Sequence, residues 1–179
     1  MSAVRRLRTV WRPRPDHGFT TMDDFDIDLR APVTATATRV LLAPPEQVWR
    51  TLSDLTDWPR WNRAIEGLWM AGPLAHGQYF EWRTEGWFIR STLRLVDPPR
   101  RLGWTGRSPG TRSAHVLDIE PAGSGPEHGT RVTSRASLGG MMPLLFRTGM
   151  RRRLAVALAA DLEALAQEIE PRPPRRQAA

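Results

Sequence analysis

Histidine and serine are the residues of this sequence that could carry chemistry inside a folded domain. His115 lies in a segment of alternating side chains, and this alternation predicts that its imidazole points inward. The sequence leaves two roles open for it: a hydrogen-bonded core histidine, or a pocket group that orients a ligand or acts as a general acid/base. Ser91, Ser113 and Ser134 share the inward parity and could supply hydroxyl groups.

The chain lacks the residue sets that several other kinds of chemistry require. It contains no cysteine, which excludes thiol catalysis and disulfides and suits the reducing cytoplasm. The remaining histidines are scattered at positions 17, 76 and 128, and no predicted inward position holds Asp or Glu. Neither a metal site nor a pair of catalytic carboxylates is therefore predicted. No glycine-rich phosphate loop is present, so no cofactor is expected.

The basic charge of the chain is distributed in a way that does not predict a nucleic-acid partner. The net charge is +7, and every one of the 26 Lys+Arg residues is arginine, which is typical of high-GC codon usage. Much of the excess lies near the two termini. The internal arginines 147, 151, 152 and 153 are interpreted as a solvated helix face, with a nucleic acid or an anionic surface as the alternative partner. No apolar stretch approaches the roughly 20 residues of a membrane-spanning helix, so no integral membrane contact is expected.

Period-two alternation bounded by Gly and Pro predicts a sheet of antiparallel neighbours. The predicted strands are 33–42, 65–71, 78–84, 87–96, 101–107, 112–120 and 130–137. Glu46 to Leu52 is predicted to be helical, because Pro45 can open a helix. A second short helix or turn is expected within 54–62, broken at Trp58-Pro59.

The segment from Pro143 to Ile169 has the period of a long helix. Asp161, Glu163 and Glu168 are predicted to fall outside the apolar stripe of this helix. The stripe itself recurs at spacings of three and four residues and consists of Leu154, Leu158, Leu162, Leu165 and Ile169. These elements together predict an α+β fold in which the sheet curves around one C-terminal helix.

Strand parity and helix position predict which side chains face the space between sheet and helix. Aromatic walls combined with adaptable Met side chains favour a pocket for a flat, partly apolar ligand over a collapsed core. Trp58 and Trp61 are interpreted as structural, and Leu95 is assigned to the inner face. The predicted ligand-binding set is Phe80, Trp82, Trp87, Ile89, Ser91, Leu93, Trp104, His115, Leu117, Ser134, Met142, Phe146, Met150 and Leu154.

Three stretches resemble the START-like polyketide cyclase/dehydrase superfamily, in the same order and spacing. They are Ala43–Trp49 running to Trp58–Asn62, then Pro98–Gly106, then Gly129–Thr133. The resemblance covers about residues 33 to 169. It implies the helix-grip fold, with a curved antiparallel sheet of about six to seven strands and two short helices after strand one.

The same resemblance implies a small hydrophobic or aromatic ligand, lipid- or polyketide-like, in an internal cavity. The alternative that it implies is a cyclase or dehydratase with His115 as general acid/base. Some relatives carry a carboxylate about where Ala136 lies in this sequence, so that group is missing here. A homodimer remains open.

The sequence also predicts where the ordered domain begins and ends. Residues 1–30 are expected to be a disordered extension, 31–170 the ligand-binding domain, and 171–179 a disordered tail. Met22 is an alternative start of translation. The ligand is expected to enter beside the start of the long helix, where Gly139, Gly140 and Gly149 would permit opening.

Overall fold

The computed structural model describes residues 25–123 and 129–170. Within those ranges, seven strands form one antiparallel sheet in the order β1-β7-β6-β5-β4-β3-β2. The strands are β1 (Val33–Leu41), β2 (Ile65–Met70), β3 (Tyr79–Thr84), β4 (Trp87–Asp97), β5 (Arg101–Ser108), β6 (Thr111–Pro121) and β7 (Thr130–Gly139). The helices are α1 (Pro45–Ser53), α2 (Trp58–Trp61), α3 (Met141–Leu145) and α4 (Arg147–Ile169), with a 3₁₀ turn at Leu55–Asp57.

This architecture confirms the predicted α+β helix-grip fold. All seven predicted strands are present, with ends that differ from the prediction by at most two residues. The local predictions differ at two points. Trp58-Pro59 opens α2 instead of breaking a helix, because Pro is tolerated in a first turn. The predicted single C-terminal helix is interrupted at Phe146, where φ is −115° and ψ is 34°, so α3 is separate from α4.

The turns of the sheet place the β3–β4 turn, the β5–β6 turn and the last residues of β7 at one end, here called the hairpin end. Helix α3 is attached there, because the Met142 backbone N–H donates to the Gly110 carbonyl over 3.2 Å. Helix α4 then runs parallel to β1, since Arg39 of β1 pairs with Glu163 and the Leu42 N–H donates to Glu170. The hairpin end therefore holds the start of α4.

The main hydrophobic core lies between the inner face of the sheet, α1, α2 and the C-terminal half of α4. Leu158, Leu162 and Leu165 of α4 are buried there, as the predicted stripe requires, whereas Leu154 is half-buried. No helix in the described part of the chain is both long enough and apolar enough to cross a bilayer.

Two side chains that precede the predicted domain boundary at residue 31 pack on the sheet. Phe25 and Ile27 are buried against Leu95 and Val116 on the outer face, and Arg135 pairs with Asp26. Burial of these two side chains fixes the segment before β1. The rest of the predicted N-terminal extension, the C-terminal tail, Met22, His17 and His128 lie outside the described residues.

Candidate ligand-binding site

His115 and Ser134 form a hydrogen-bonded pair on the inner face of the sheet. His115 lies on β6 and Ser134 on the neighbouring β7, and the imidazole Nε2 is 2.7 Å from the Ser134 Oγ. Either atom can be the donor, depending on the tautomer of the ring. Sequence parity placed both residues on one face, and the structure brings them into direct contact.

Aromatic rings pack on one side of His115. The Trp104 ring lies across from it on β5, with ring centroids 4.3 Å apart and planes tilted by 40°. Trp104 in turn contacts Trp58 at 5.6 Å and Phe80 at 6.3 Å between centroids. These rings fill the interior beside α2, so His115 stands at the margin of the packed core.

Burial changes the proton chemistry of His115. Desolvation lowers the pKa of His115 from 6.5 to about 3, because the protonated imidazole would lose its hydration. At neutral pH the ring is therefore uncharged, with one N–H donor and one acceptor nitrogen. Within the described ranges Ser134 is its one hydrogen-bond partner, so the Nδ1 atom of the ring can form a hydrogen bond with a ligand.

A second group of hydroxyls surrounds Gly106 on β5, nearer the hairpin end. The Trp82 indole N–H donates to the Ser91 Oγ over 3.0 Å. A Cβ added at Gly106 would lie 2.5 Å from the Ser113 Oγ and 3.4 Å from the Ser91 Oγ. The absence of a side chain at Gly106 therefore makes room for both hydroxyls, and sequence parity could have identified this position because it is inward-facing.

Several residues of the predicted binding set are half-buried near the hairpin end. Ile89 and Trp82 are half-buried on the sheet, and Met142, Met150 and Leu154 are half-buried on α3 and α4. Half-burial at the hairpin end leaves these side chains able to contact a molecule that enters there.

Two members of the predicted set lie at the surface. Trp87 is 46% exposed at the start of β4, and Phe146 is 57% exposed at the break between α3 and α4. Both therefore lie at the rim of the hairpin end and not in an enclosed wall.

Other predicted residues belong to the closed core. Phe80, Leu93, Trp104 and Leu117 are all buried in the main cluster. The assignment of Leu95 to the inner face is wrong: the β4–β5 register shifts between Leu93 and Leu95, so Leu95 packs with the outer cluster. An irregularity of this kind inserts a residue and reverses the parity after it.

A carboxylate that was predicted to lie outside the helix stripe is half-buried. Asp161 of α4 accepts a hydrogen bond from the Asn62 side chain over 2.7 Å. Burial raises the pKa of Asp161, and the bond from Asn62 lowers it by less. The spacing could have predicted this position, because Asp161 follows Leu158 by three residues and precedes Leu165 by four, which places it on the same side of the helix as both leucines.

The glycines predicted to permit opening differ in their surroundings. A Cβ at Gly140, where φ is 111°, would lie 2.6 Å from the Gly110 carbonyl oxygen, so Gly140 serves a close backbone contact. Gly139 and Gly149 have open space at the corresponding position. Flexibility at those two positions stays a prediction.

A recess of about 290 Å³ lies between α1 and the end of α4. Arg60 lies in its lining and pairs with Asp57 and Glu168. Its charged lining does not suit an apolar ligand. The described residues contain no group of three or more His, Cys, Asp or Glu side chains that could hold a metal ion.

Comparison with protein families gives one match. The family described as polyketide cyclase / dehydrase and lipid transport matches residues 32–170. Among curated proteins, none matches this chain significantly.

Solved structures share the fold at low sequence identity. A hypothetical protein of Helicobacter pylori superposes with a TM-score of 0.70 at 15% identity, covering 86% of this chain and 100% of its own. A START superfamily protein of Mycobacterium smegmatis gives a TM-score of 0.65 at 16% identity, covering 76% of this chain and 96% of its own. The di-domain ARO/CYC protein BexL of the BE-7585A biosynthetic pathway gives 0.65 at 17% identity, covering 80% of this chain and 52% of its own. At these identities the likeness concerns the fold alone.

Proposed function

Because this chain belongs to the polyketide cyclase/dehydrase and lipid transport family, we propose that it binds a small hydrophobic or aromatic molecule between its sheet and its C-terminal helix. The ligand is lipid- or polyketide-like and lies at the hairpin end, beside His115. Its apolar part contacts Ile89, Met142 and Met150, which are half-buried. Aromatic and methionine side chains suit such a ligand because they offer large, adaptable apolar surfaces.

The observation that carries this proposal is a polar pair within an apolar surface, in which Ser134 is buried and His115 is half-buried. Ser134 is only 1% exposed, and its hydroxyl and the His115 imidazole bond to each other. Each group retains capacity for a further hydrogen bond, and buried polar groups are stabilised when that capacity is used. A ligand hydroxyl or carbonyl would satisfy it and would be oriented by it.

The protonation state of His115 favours binding over catalysis. With a pKa of about 3, the imidazole has almost no charged form to act as a general acid at neutral pH. It is also a weak base, because efficient acid/base catalysis needs a pKa near the working pH. The cyclase or dehydratase alternative would require a substrate that raises the pKa of His115 on binding.

Binding can be tested by native mass spectrometry of the purified chain with a panel of fatty acids, phospholipids and fused-ring phenols. We expect one-to-one complexes, which weaken about fivefold for polar ligands in Ser134→Ala, since one hydrogen bond is worth roughly 1 kcal/mol. Thr38→Ala is the matched control, because its hydroxyl lies on the outer face and bonds to Thr133. Failure of every class of compound to form a complex would overturn the proposal.

A further inference from the structure

A group of large apolar side chains is exposed in α3 and at its junction with α4. Met141, Leu144, Leu145 and Phe146 are between 57% and 67% exposed, and we call these four residues the apolar tip. Exposed apolar side chains are usual when they are scattered, but a contiguous group of them marks an interaction surface. The apolar tip is contiguous, because Met141, Leu144 and Leu145 are spaced by three and four residues on one side of α3 and Phe146 follows directly.

Arginines follow the apolar tip directly in the chain. Arg147, Arg151, Arg152 and Arg153 are all exposed, and none of them pairs with a carboxylate in the part of the chain that the structure describes. The sequence contains no Asp or Glu from residue 129 to residue 160. The first two turns of α4 therefore carry positive charge without local compensation.

We propose that the apolar tip and these four arginines dock the protein onto an anionic lipid surface. The apolar side chains enter the boundary between headgroups and acyl chains, while the guanidinium groups contact lipid phosphates. Stable membrane binding generally needs two signals, such as apolar insertion and a polybasic patch, and this segment supplies both within 13 residues, 141 to 153.

The combination of charges and apolar groups favours a membrane over the other partners. A second copy of the chain, related by two-fold symmetry, would bring the same arginines against each other, and like charges repel. A nucleic acid would neutralise the arginines but would leave Leu144 and Leu145 without an apolar partner.

The position of this surface agrees with the proposed ligand site, although docking does not depend on that proposal. The apolar tip lies at the hairpin end, where the Met142 N–H bonds to Gly110. A protein docked in this way would face the membrane with the part of its interior that lies beside Met142 and Met150. An apolar ligand could then pass between bilayer and protein with little exposure to water.

Co-sedimentation with lipid vesicles tests the inference. We expect the whole chain to bind vesicles of phosphatidylcholine mixed with phosphatidylglycerol, and to bind less well to phosphatidylcholine alone or at high salt. The double variant Arg152→Gln/Arg153→Gln should lose about tenfold or more in affinity for the mixed vesicles. The control Arg50→Gln/Arg131→Gln removes the same charge from exposed positions on α1 and at the start of β7, away from the hairpin end, and should bind as the parent chain does.

The apolar contribution is tested separately with Leu144→Ser/Leu145→Ser. Both side chains are exposed, so the variant should keep its thermal midpoint while its vesicle affinity falls about tenfold or more. Ser134→Ala should leave vesicle binding unchanged, which distinguishes docking from ligand binding. The inference is overturned if the parent chain does not bind mixed vesicles, if both arginine pairs have equal effects, or if the leucine variant only abolishes a concentration-dependent dimer.

Discussion

Single residues determine the polarity of the inner face, and His115 is the one whose protonation responds most to the fold. Its imidazole lies between the Trp104 ring and the Ser134 hydroxyl. The folded state therefore holds a neutral histidine, whereas the unfolded chain holds one that titrates near its ordinary pKa of 6.5. The difference makes stability depend on pH.

We expect acidification to destabilise the protein through His115. The folded pKa of His115 is lowered to about 3, so below the unfolded value of 6.5 the unfolded state takes up a proton that the folded state does not. The free energy of unfolding should fall by about 2 kcal/mol between about pH 7 and pH 5 on account of this residue. Urea unfolding of the parent chain and of His115→Gln measures it. An equal loss in both proteins would contradict the assignment.

For Asp161 we expect the opposite dependence of stability on pH. Its pKa is raised by burial, so the folded state favours the protonated carboxyl, and the stability that this group confers is lost as pH rises through the folded pKa. Asp161→Asn should therefore raise the free energy of unfolding at neutral pH, because the amide oxygen still accepts the bond from Asn62 and no half-buried charge remains.

The control for this prediction is Asp161→Ala. It leaves the buried Asn62 amide without its acceptor and should destabilise the protein by roughly 1–3 kcal/mol. Thermal unfolding at neutral pH compares the three proteins. A loss of stability in Asp161→Asn as large as that in Asp161→Ala would show that the carboxylate charge is itself stabilising.

At the scale of the secondary-structure elements, an irregularity in β4 produces a second hydrophobic cluster on the outer face of the sheet. The register shift in β4 turns Leu95 outward, where it meets Val116 of β6 and the segment before β1. Gly103 of β5 makes this contact possible, because a Cβ there would lie 2.9 Å from the Phe25 ring. The irregularity and the glycine together create a shallow site for one aromatic side chain.

Phe25→Ala should destabilise the protein by about 3 kcal/mol, because Phe25 is 2% exposed and its removal leaves a cavity over Gly103. Phe88→Ala is the control, since Phe88 is 38% exposed and should matter much less. Urea unfolding of the two variants measures the difference. Equal effects would mean that the segment at residues 25–30 does not pack on the sheet in solution.

In the described part of the chain, the interior is packed with aromatic rings beside α2 and is less tightly covered at the hairpin end. Trp58, Phe80 and Trp104 pack together beside α2, whereas Met142 and Met150 are half-buried at the hairpin end. A ligand that binds only the folded state would be expected to occupy the second region and to stabilise the whole domain.

A bound ligand should therefore raise the thermal midpoint of the protein. At a free concentration about 100 times its Kd, it adds about 2.7 kcal/mol, which corresponds to roughly 5–10 °C for a domain of this size. Differential scanning calorimetry with a compound found by mass spectrometry measures the shift. Ser134→Ala should show a smaller shift at the same concentration, and the outer-face variant Thr38→Ala an unchanged one.

The sequence by itself determined the seven strands, the long helix and the inward parity of His115, Ser91 and Ser134. Those features depend on local periodicity, since a strand repeats every two residues and a helix every 3.6. Local periodicity also predicted the fold class, because strands at short spacing leave few arrangements other than an antiparallel sheet.

Only the tertiary structure decided which inward groups meet and which face water. The shift in β4 reversed the side of Leu95, the Asn62 amide met Asp161, and Phe25 found the space over Gly103. Each of these contacts joins residues that are distant in sequence or follows an irregularity in register. Their energies depend on burial and geometry, which exist only once the sheet has curved around the helix.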